Sequence, residues 1–485
     1  MQLNNGSLLQ CLAFINNQWN TTSDDKYFEV FNPANGELVA NVADCGPLEA
    51  QSAIEAASAA FPMWSKKTAY ERATIMRRWF NLLHENADDL ALLMTTEQGK
   101  PLTEARGEVI YGASFIEWFA EEGRRVYGDV IPTPLNDRRI LTLKQPVGVV
   151  AAITPWNFPI AMITRKISPA IAAGCTIVLK PASLTPLSAL AIAQLSVEAG
   201  FPPGVINIVP SSAAAEIGKV LTTHPRVMKL SFTGSTETGK TLMQQAASTV
   251  KKISLELGGN APLIVFDDAD VQQAVTGAIK SKYRNAGQTC VCTNRIFVQS
   301  GIYHSFVSAY SKAVSELNVG EGTRTDVQIG PLINGKALSK VTRLLDDAVS
   351  HGARVTTGGH VHTAGEFFFE PTIVEDCTAM MALSREEIFG PVSAIYRFET
   401  EADAIAAAND TEYGLAAYFF SKNIDRIWRV AESLDYGIVG INEGIVSHAE
   451  APFGGMKQSG IGREGSKYGI EEYLEIKYVC MGGLV

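Results

Sequence analysis

The sequence predicts an α/β protein of two or three domains, built on a parallel sheet of the nucleotide-binding kind. Three observations carry this. The 485 residues exceed what one compact core accommodates. From Val147, apolar β-like runs recur at 147–153, 176–179, 205–209, 227–232 and 252–257, and helical segments rich in Ala, Leu and Ile separate the first three. Apolar strands alternating with helices are what a sheet buried on both faces requires. The stretch Ser231-Phe232-Thr233-Gly234-Ser235-Thr236-Glu237-Thr238-Gly239 then follows one such strand and opens a helix. Glycines there permit a tight turn, and a helix N-terminus favours phosphate. The spacing is G-x-x-x-x-G and not G-x-G-x-x-G, so taken alone it reads equally well as an ordinary strand-to-helix turn.

Ahead of the repeat, residues 13–43 read as short strands and turns. Asn35-Gly36 is a hairpin signal between β-like runs at 28–31 and 38–42. Helices are expected near 48–62, 68–98 and 102–125. Ile75, Trp79, Leu82 and Leu83 recur at helical spacing in the second, and Ile110, Phe115 and Trp118 lie against a polar face in the third. These aromatics read as core, not as a binding stripe. Residues 126–146 break the helical pattern. The run 138–143 alternates like a strand with no local partner, as does 473–479; both fit one small sheet, or each packs alone. A second α/β unit is expected from about 262 to 457, with β-like runs at 263–266, 295–298, 392–398 and 438–442. No Ser- or Pro-rich linker divides the chain, so tight domain packing is expected.

Composition narrows the function. Hydrophobic residues are 46% and charged residues 19%, ordinary for a globular protein. A net charge of −10 argues against nucleic acid or a membrane surface as the main partner. The seven cysteines (Cys11, Cys45, Cys175, Cys290, Cys292, Cys377 and Cys480) are odd in number and scattered. That is unlike a secreted disulfide framework and points to a reducing cytoplasm. The N-terminus lacks a basic-then-apolar signal pattern, and no apolar run approaches the ~20 residues of a membrane helix. No metal site is expected. Cys290-x-Cys292 has no partner pair at zinc spacing, and His360 and His362 sit in a Gly-rich stretch that reads as a solvated loop.

The chemistry centres on residues 284–294, R-N-A-G-Q-T-C-V-C-T-N. Cys290 lies among small and polar neighbours, as a presented thiol would. A thiolate there can attack a carbonyl, whereas the plain alternative is a half-buried structural cysteine. Leu255-Glu256-Leu257-Gly258-Gly259-Asn260 puts a lone carboxylate at the end of an apolar strand. Partly desolvated, Glu256 would have a raised pKa and serve as a general base; otherwise it is an exposed acid beside a turn. Two prolines and two aromatics stiffen Thr154-Pro155-Trp156-Asn157-Phe158-Pro159, where the Asn157 amide can donate a hydrogen bond. Lys180-Pro181-Ala182-Ser183 ends another strand and otherwise reads as a helix start.

The 255–260 and 284–294 stretches together resemble the base and nucleophile motifs of the aldehyde dehydrogenase superfamily, and further matches run from Asn32-Pro33-Ala34 to the C-terminus. The resemblance implies a Rossmann-like cofactor domain (1–127 and 147–257), an α/β catalytic domain (258–457) and a small β oligomerisation segment (128–146 and 470–485). It implies Cys290 as nucleophile, Glu256 as base, and Asn157 with the Cys290 backbone N–H as oxyanion donors. Trp156, Lys180, Pro181, Ala182, Ser183, Gly234, Ser235, Leu257, Glu387 and Phe389 would contact the dinucleotide. NAD-specific members often carry Glu where this chain has Ser183. A serine there can bond a 2′-phosphate and Lys180 can neutralise it, so NADP is expected over NAD.

Arg165, Arg284, Ser447 and the 452–469 tail are similar to the succinate-semialdehyde dehydrogenase group, whose matching residues hold a distal carboxylate. A guanidinium grips a carboxylate bidentately, although each Arg could instead pair with a surface acid. His448 and Ala449 stand where members vary, which leaves the one-methylene-longer glutarate semialdehyde as a competitor. A cofactor-free thioester hydrolase and a non-catalytic structural protein are the other classes weighed, and the intact motifs argue against both. Cys292 is either a redox partner of Cys290, as in some members of the branch, or a small core residue pointing away. A homodimer or homotetramer is expected.

Overall fold

This computed structural model describes residues 1–484; Val485, the end of the expected 470–485 segment, lies outside the described residues. The β-α repeat forms an eight-stranded sheet, in the order Gln18–Asn20, Ala13–Ile15, Ile206–Ile208, Thr176–Lys180, Val149–Ile153, Val227–Thr233, Lys252–Glu256, Gly460–Ile461. The five strands from Ile206–Ile208 to Lys252–Glu256 are parallel. The register pairs Ile153 with Lys180 and Thr233 with Glu256, which brings the carboxyl ends of the strands together at one edge. Ligands of open α/β sheets bind at that edge.

A second, seven-stranded sheet runs Arg354–Thr357, Thr372–Glu375, Val392–Phe398, Thr293–Gln299, Ala261–Val265, Ala416–Phe420, Ile438–Ile441. Both sheets have strands buried along their length, and each packs helices against an apolar core. The 28–31 and 38–42 runs form the expected antiparallel hairpin, as Tyr27–Phe31 and Leu38–Ala43. The two strands without local partners find each other: Leu474–Met481 pairs antiparallel with Arg139–Pro146, and Val130–Ile131 adds on the far side.

The helices depart from expectation in detail. The first runs Pro47–Lys66, past Pro62. The long helix expected over 68–98 is two, Ala69–Glu85 and Ala87–Gln98. Asn86 breaks it with φ −104° and ψ 18°, while its side-chain amide donates 2.8 Å to the Leu82 carbonyl. An Asn side chain competing for a local carbonyl in this way offers the backbone an alternative to the helix. The third helix spans Leu102–Glu122 and tightens into a 3₁₀ turn at Gly123–Arg125. Among the described residues, no helix is long and apolar enough to cross a membrane.

The last strand of the first sheet comes from far along the chain. Gly460 pairs with Glu256 and Ile461 with Leu255, antiparallel. Ser459 braces the same stretch: its carbonyl accepts from Leu257 N at 2.9 Å, and its hydroxyl donates 2.7 Å to the Gly258 carbonyl. Gly460 has φ +136°, and a Cβ on it would lie 1.9 Å from the Leu255 carbonyl oxygen. Gly460→Ala should therefore cost about 2 kcal/mol or more in denaturant unfolding, while Gly482→Ala, which meets nothing within 4 Å, stays within about 0.5 kcal/mol of the parent. Equal stability of the two variants would show that the tail does not depend on this close approach.

Candidate active site

A cavity of about 360 Å³ opens between the two sheets, lined by Trp156, Asn157, Phe158, Met162, Gly234, Ser235, Leu257, Cys290, Lys336, Lys340, Glu387 and Phe389, among others. Cys290 reaches it from a tight turn. Asn285, Ala286 and Gly287 follow one another at φ +52°, +54° and +75°, in the left-handed region, which redirects the chain after the helix Val271–Tyr283. Gly259 passes directly beneath: a Cβ there would lie 2.4 Å from the Cys290 carbonyl oxygen. Only glycine permits that approach.

Cys290 is half-buried, and burial pushes its thiol up to about 12. The Glu387 charge adds to this, while the Arg165 guanidinium pulls the other way. Glu387 is itself raised to about 7 by burial, offset in part by the Gly259 N–H, which its carboxylate accepts at 3.1 Å. Glu256 ends its strand fully inside the protein, and burial holds its carboxyl well above the usual range. The nearby Glu464 raises it further, against Lys166, Arg165 and Arg463. Glu464 pairs with Lys166 and lies 3.4 Å from Arg165 Nε. Glu256 Oε2, Glu464 Oε2 and Arg165 Nε are each buried without a hydrogen-bond partner among the described residues. The site thus keeps two carboxyls and two cations out of water, a setting in which small changes move protons.

Asn157 is buried at the cavity wall. Its Nδ2 donates 3.0 Å to the Gln288 carbonyl, which leaves a second N–H on the same nitrogen. Arg165 lies on the helix Ala161–Ala173, its Nη2 donating 2.9 Å to the Tyr111 hydroxyl and its guanidinium 4.1 Å from the centre of the Phe453 ring. Arg284 stacks over Phe158 at 4.6 Å. Burial raises the Tyr111 phenol, and the nearby Arg165 and Arg284 charges and the Ser447 hydroxyl oppose it. Arg165, Arg284 and Ser447, far apart in the chain, therefore gather around Tyr111.

The surroundings fit a dinucleotide. Ser235 caps the helix Thr236–Ala246, which presents its N-terminus toward the cavity where Gly234 and Ser235 line the wall. Lys180 ends the strand Thr176–Lys180, separated from Val227–Thr233 by Val149–Ile153 in the same sheet, and its ammonium is lowered to about 8 by burial, with Asp44 opposing. An anionic group would compensate that cation. Ser183 follows in the loop, half-buried. Pro181 and Ala182 share this loop at the strand edge, outside the cavity wall.

The sequence reading left Cys292 open between a redox partner and a small core residue pointing away, and it did not name four residues near the site. Cys292 does not line the cavity; its buried thiol donates to the Lys282 carbonyl at 3.2 Å, a contact that suits a packed core residue. Tyr111, Glu464, Lys336 and Lys340 were absent from that reading. The lysines had a legible signal: Asn334 caps the helix Gly335–Ser350 by accepting from Ala337 N, and Lys336 and Lys340 then fall one turn apart. Tyr111 and Glu464 had none, since each gains its meaning from partners distant in sequence.

The Aldehyde dehydrogenase family model matches residues 19–479. Over 482 residues, 99% of this chain and 100% of the relative, the sequence is 58% identical to Succinate-semialdehyde dehydrogenase [NADP(+)] GabD of Escherichia coli. It is 56% identical over 484 residues to Glutarate-semialdehyde dehydrogenase of Pseudomonas aeruginosa, covering 100% of both. The fold superposes on the crystal structure of an E. coli NADP dependent enzyme with TM-score 0.98 at 58% identity, covering 99% of this chain and 100% of that one.

The raised thiol sets a titration. Without cofactor, alkylation of Cys290 should accelerate about tenfold per pH unit from pH 7 to 9, because only the thiolate reacts. Peptide mass spectrometry of timed iodoacetamide reactions follows this, and a plateau within that range would contradict the burial-raised pKa.

Proposed function

The chain belongs to the aldehyde dehydrogenase family, and we propose that it oxidises succinate semialdehyde to succinate through a thioester on Cys290, with NADP as cofactor. The observation that carries the substrate class is the gathering of Arg165, Arg284 and Ser447 around Tyr111, beside the cavity that holds Cys290. Two guanidiniums suit a distal carboxylate, which a simple alkyl aldehyde lacks. The relatives named for succinate and glutarate semialdehyde support the same class. Glutarate semialdehyde is the second reading; one methylene is worth only ~1–3 kcal/mol, so the pocket would favour one chain length without excluding the other.

In this reading Cys290 Sγ gives its proton to solvent water and adds as the thiolate to the aldehyde carbon, whose C=O π electrons move onto the oxygen. The developing oxyanion is received by the free N–H of Asn157 Nδ2 and the backbone N–H of Cys290. Losing one such donor typically costs ~2.7–4 kcal/mol in the transition state. The bound dinucleotide supplies the hydride acceptor, and the acyl group is left on sulfur. Glu256 takes a proton from the water that attacks the thioester carbon, and the Cys290 sulfur leaves. Gly234 and Ser235 would hold the pyrophosphate at the helix N-terminus. Lys180 and Ser183 would hold the adenosine ribose and its 2′-phosphate, with Pro181 and Ala182 shaping that loop. Trp156, Leu257, Glu387 and Phe389 would flank the nicotinamide ribose.

The same reading assigns 1–127 and 147–257 to cofactor binding, 258–457 to catalysis, and 128–146 with 470–485 to self-association as a homodimer or homotetramer. Exposed Ile476 and Tyr478, two residues apart and so on one face of the three-stranded sheet, support a covered face there. Seven free cysteines support a cytoplasmic setting.

The direct test follows cofactor reduction by absorbance with succinate semialdehyde and NADP. Reduction with acid formed in equal amount supports the reading; acid without reduction points to a hydrolase, and no turnover to a structural protein. Arg165→Ala and Arg284→Ala should each raise KM for the semialdehyde about tenfold or more over that for a neutral aldehyde of similar length; a uniform loss would remove the carboxylate pocket. Ser183→Glu should shift preference from NADP to NAD through repulsion of the 2′-phosphate. Equal loss with both cofactors would make Ser183 a structural loop residue only.

A further inference from the structure

Residues 98–108 lie outside the cavity wall, yet they bury polar side chains directly behind it. Lys100 is almost wholly inside the protein and its ammonium carries three protons. Each has an acceptor: the Glu108 carboxylate, the Asn157 carbonyl oxygen at 2.7 Å, and the face of the Phe158 ring, 4.0 Å from its centre. Glu108 is equally buried, and its other oxygen accepts from Ile160 N at 2.9 Å and Ala161 N at 3.2 Å, at the start of the helix Ala161–Ala173. One ion pair thus fastens residues 157–161 at both ends.

The same segment reaches the cysteine turn. The Lys100 backbone N–H donates 2.9 Å to Gln98 Oε1, and Gln98 Nε2 donates 3.0 Å to Asn285 Oδ1. Glu104 accepts from Asn285 N at 2.8 Å. Asn285, held at φ +52°, then donates its amide to the Asn157 carbonyl at 2.9 Å and to the Gln288 carbonyl at 3.2 Å. That Gln288 carbonyl also accepts from Asn157 Nδ2 at 3.0 Å. The Asn157 carbonyl has both lone pairs engaged, by Lys100 and by Asn285. Asn157 and the turn leading to Cys290 are therefore bound to one another through a network anchored on Lys100.

We propose that Lys100 and Glu108 are positioning residues that fix the distance between the Asn157 amide and the Cys290 backbone N–H, so that both meet one oxyanion. The proposal rests on the function read above. A misplacement of about 1 Å in such a site costs about 100-fold in rate. A buried pair serving stability alone would instead show its loss in unfolding and leave the chemical step of the folded enzyme unchanged.

The experiment is a rate cycle on the full-length enzyme, reading single-turnover hydride transfer from succinate semialdehyde to NADP. Lys100→Met should slow this step about 100-fold, with KM and NADP affinity within about threefold of the parent. Introduced into Asn157→Ala, it should slow the step by less than about threefold, because the donor it serves is already gone. Lys100→Arg, which keeps the charge, should recover part of the rate. Full additivity with Asn157→Ala, or an unchanged rate in Lys100→Met, overturns the proposal. If Lys100→Met does not fold, Glu108→Gln, which keeps an acceptor for Ile160 and Ala161, completes the same cycle with the same criteria. A parent enzyme that transfers no hydride would instead overturn the reading of the function, so the two failures are distinct.

Discussion

Withdrawal of Cys290 and Glu256 from water is the constraint on which the rest of the site depends. Burial is the first cause of the raised pKa of both groups. It favours the neutral acid and the neutral thiol over their charged forms. The cost of burying charge explains the neighbours. Lys166 and Arg165 lie against Glu464, and Glu464 lies near enough to Glu256 to raise it. Because the Glu256 carboxyl is raised, its base form appears at higher pH than that of an ordinary carboxylate, and the repulsion of Glu464 and the attraction of Lys166, Arg165 and Arg463 adjust where that happens.

The fold meets this constraint through close backbone approaches that side chains would forbid. Gly259 lets the first strand of the second sheet start directly under the Cys290 carbonyl. The Gly460–Ile461 edge and Ser459 seal the strand that ends in Glu256. Segments distant in the chain therefore converge on residues 256–259, and the two sheets share one cavity wall. Lys100 and Glu108 do for the Asn157 loop what Ser459 and Gly460 do for Glu256: each fixes a reactive edge from behind.

The parts of this that were legible in the sequence are those with local signals. Apolar runs marked the five parallel strands of the first sheet and four strands of the second, because a strand buried on both faces must be apolar throughout, whereas Arg354–Thr357, Thr372–Glu375 and Ala416–Phe420 were not marked. The hairpin at Asn35-Gly36 and the alternation at 138–143 and 473–479 also wrote themselves locally. Cys290, Asn157 and Gly234 stand in short motifs and Glu387 was named through the family resemblance, and the structure brings all four to one cavity. The break at Asn86 was missed, since helical spacing of the apolar residues continues across it, and what marks the end of Ala69–Glu85 is the bond from the Asn86 side chain to the Leu82 carbonyl. Glu464, Tyr111 and Lys100 were missed for a different reason: each is a charged or polar residue on a helix or loop with nothing unusual beside it. What buries them, Lys166, Arg165 and Asn157, lies far away in sequence.

The central claim is that carbon is carried on Cys290 and released by Glu256. The most direct measurement is the mass of a Glu256→Gln variant after mixing with succinate semialdehyde and NADP. The account predicts one equivalent of reduced cofactor per subunit and a mass gain of one succinyl group, on the peptide that contains Cys290 and released by hydroxylamine. An unmodified Cys290 with turnover continuing at the parent rate, or an acyl group on another residue, would contradict it.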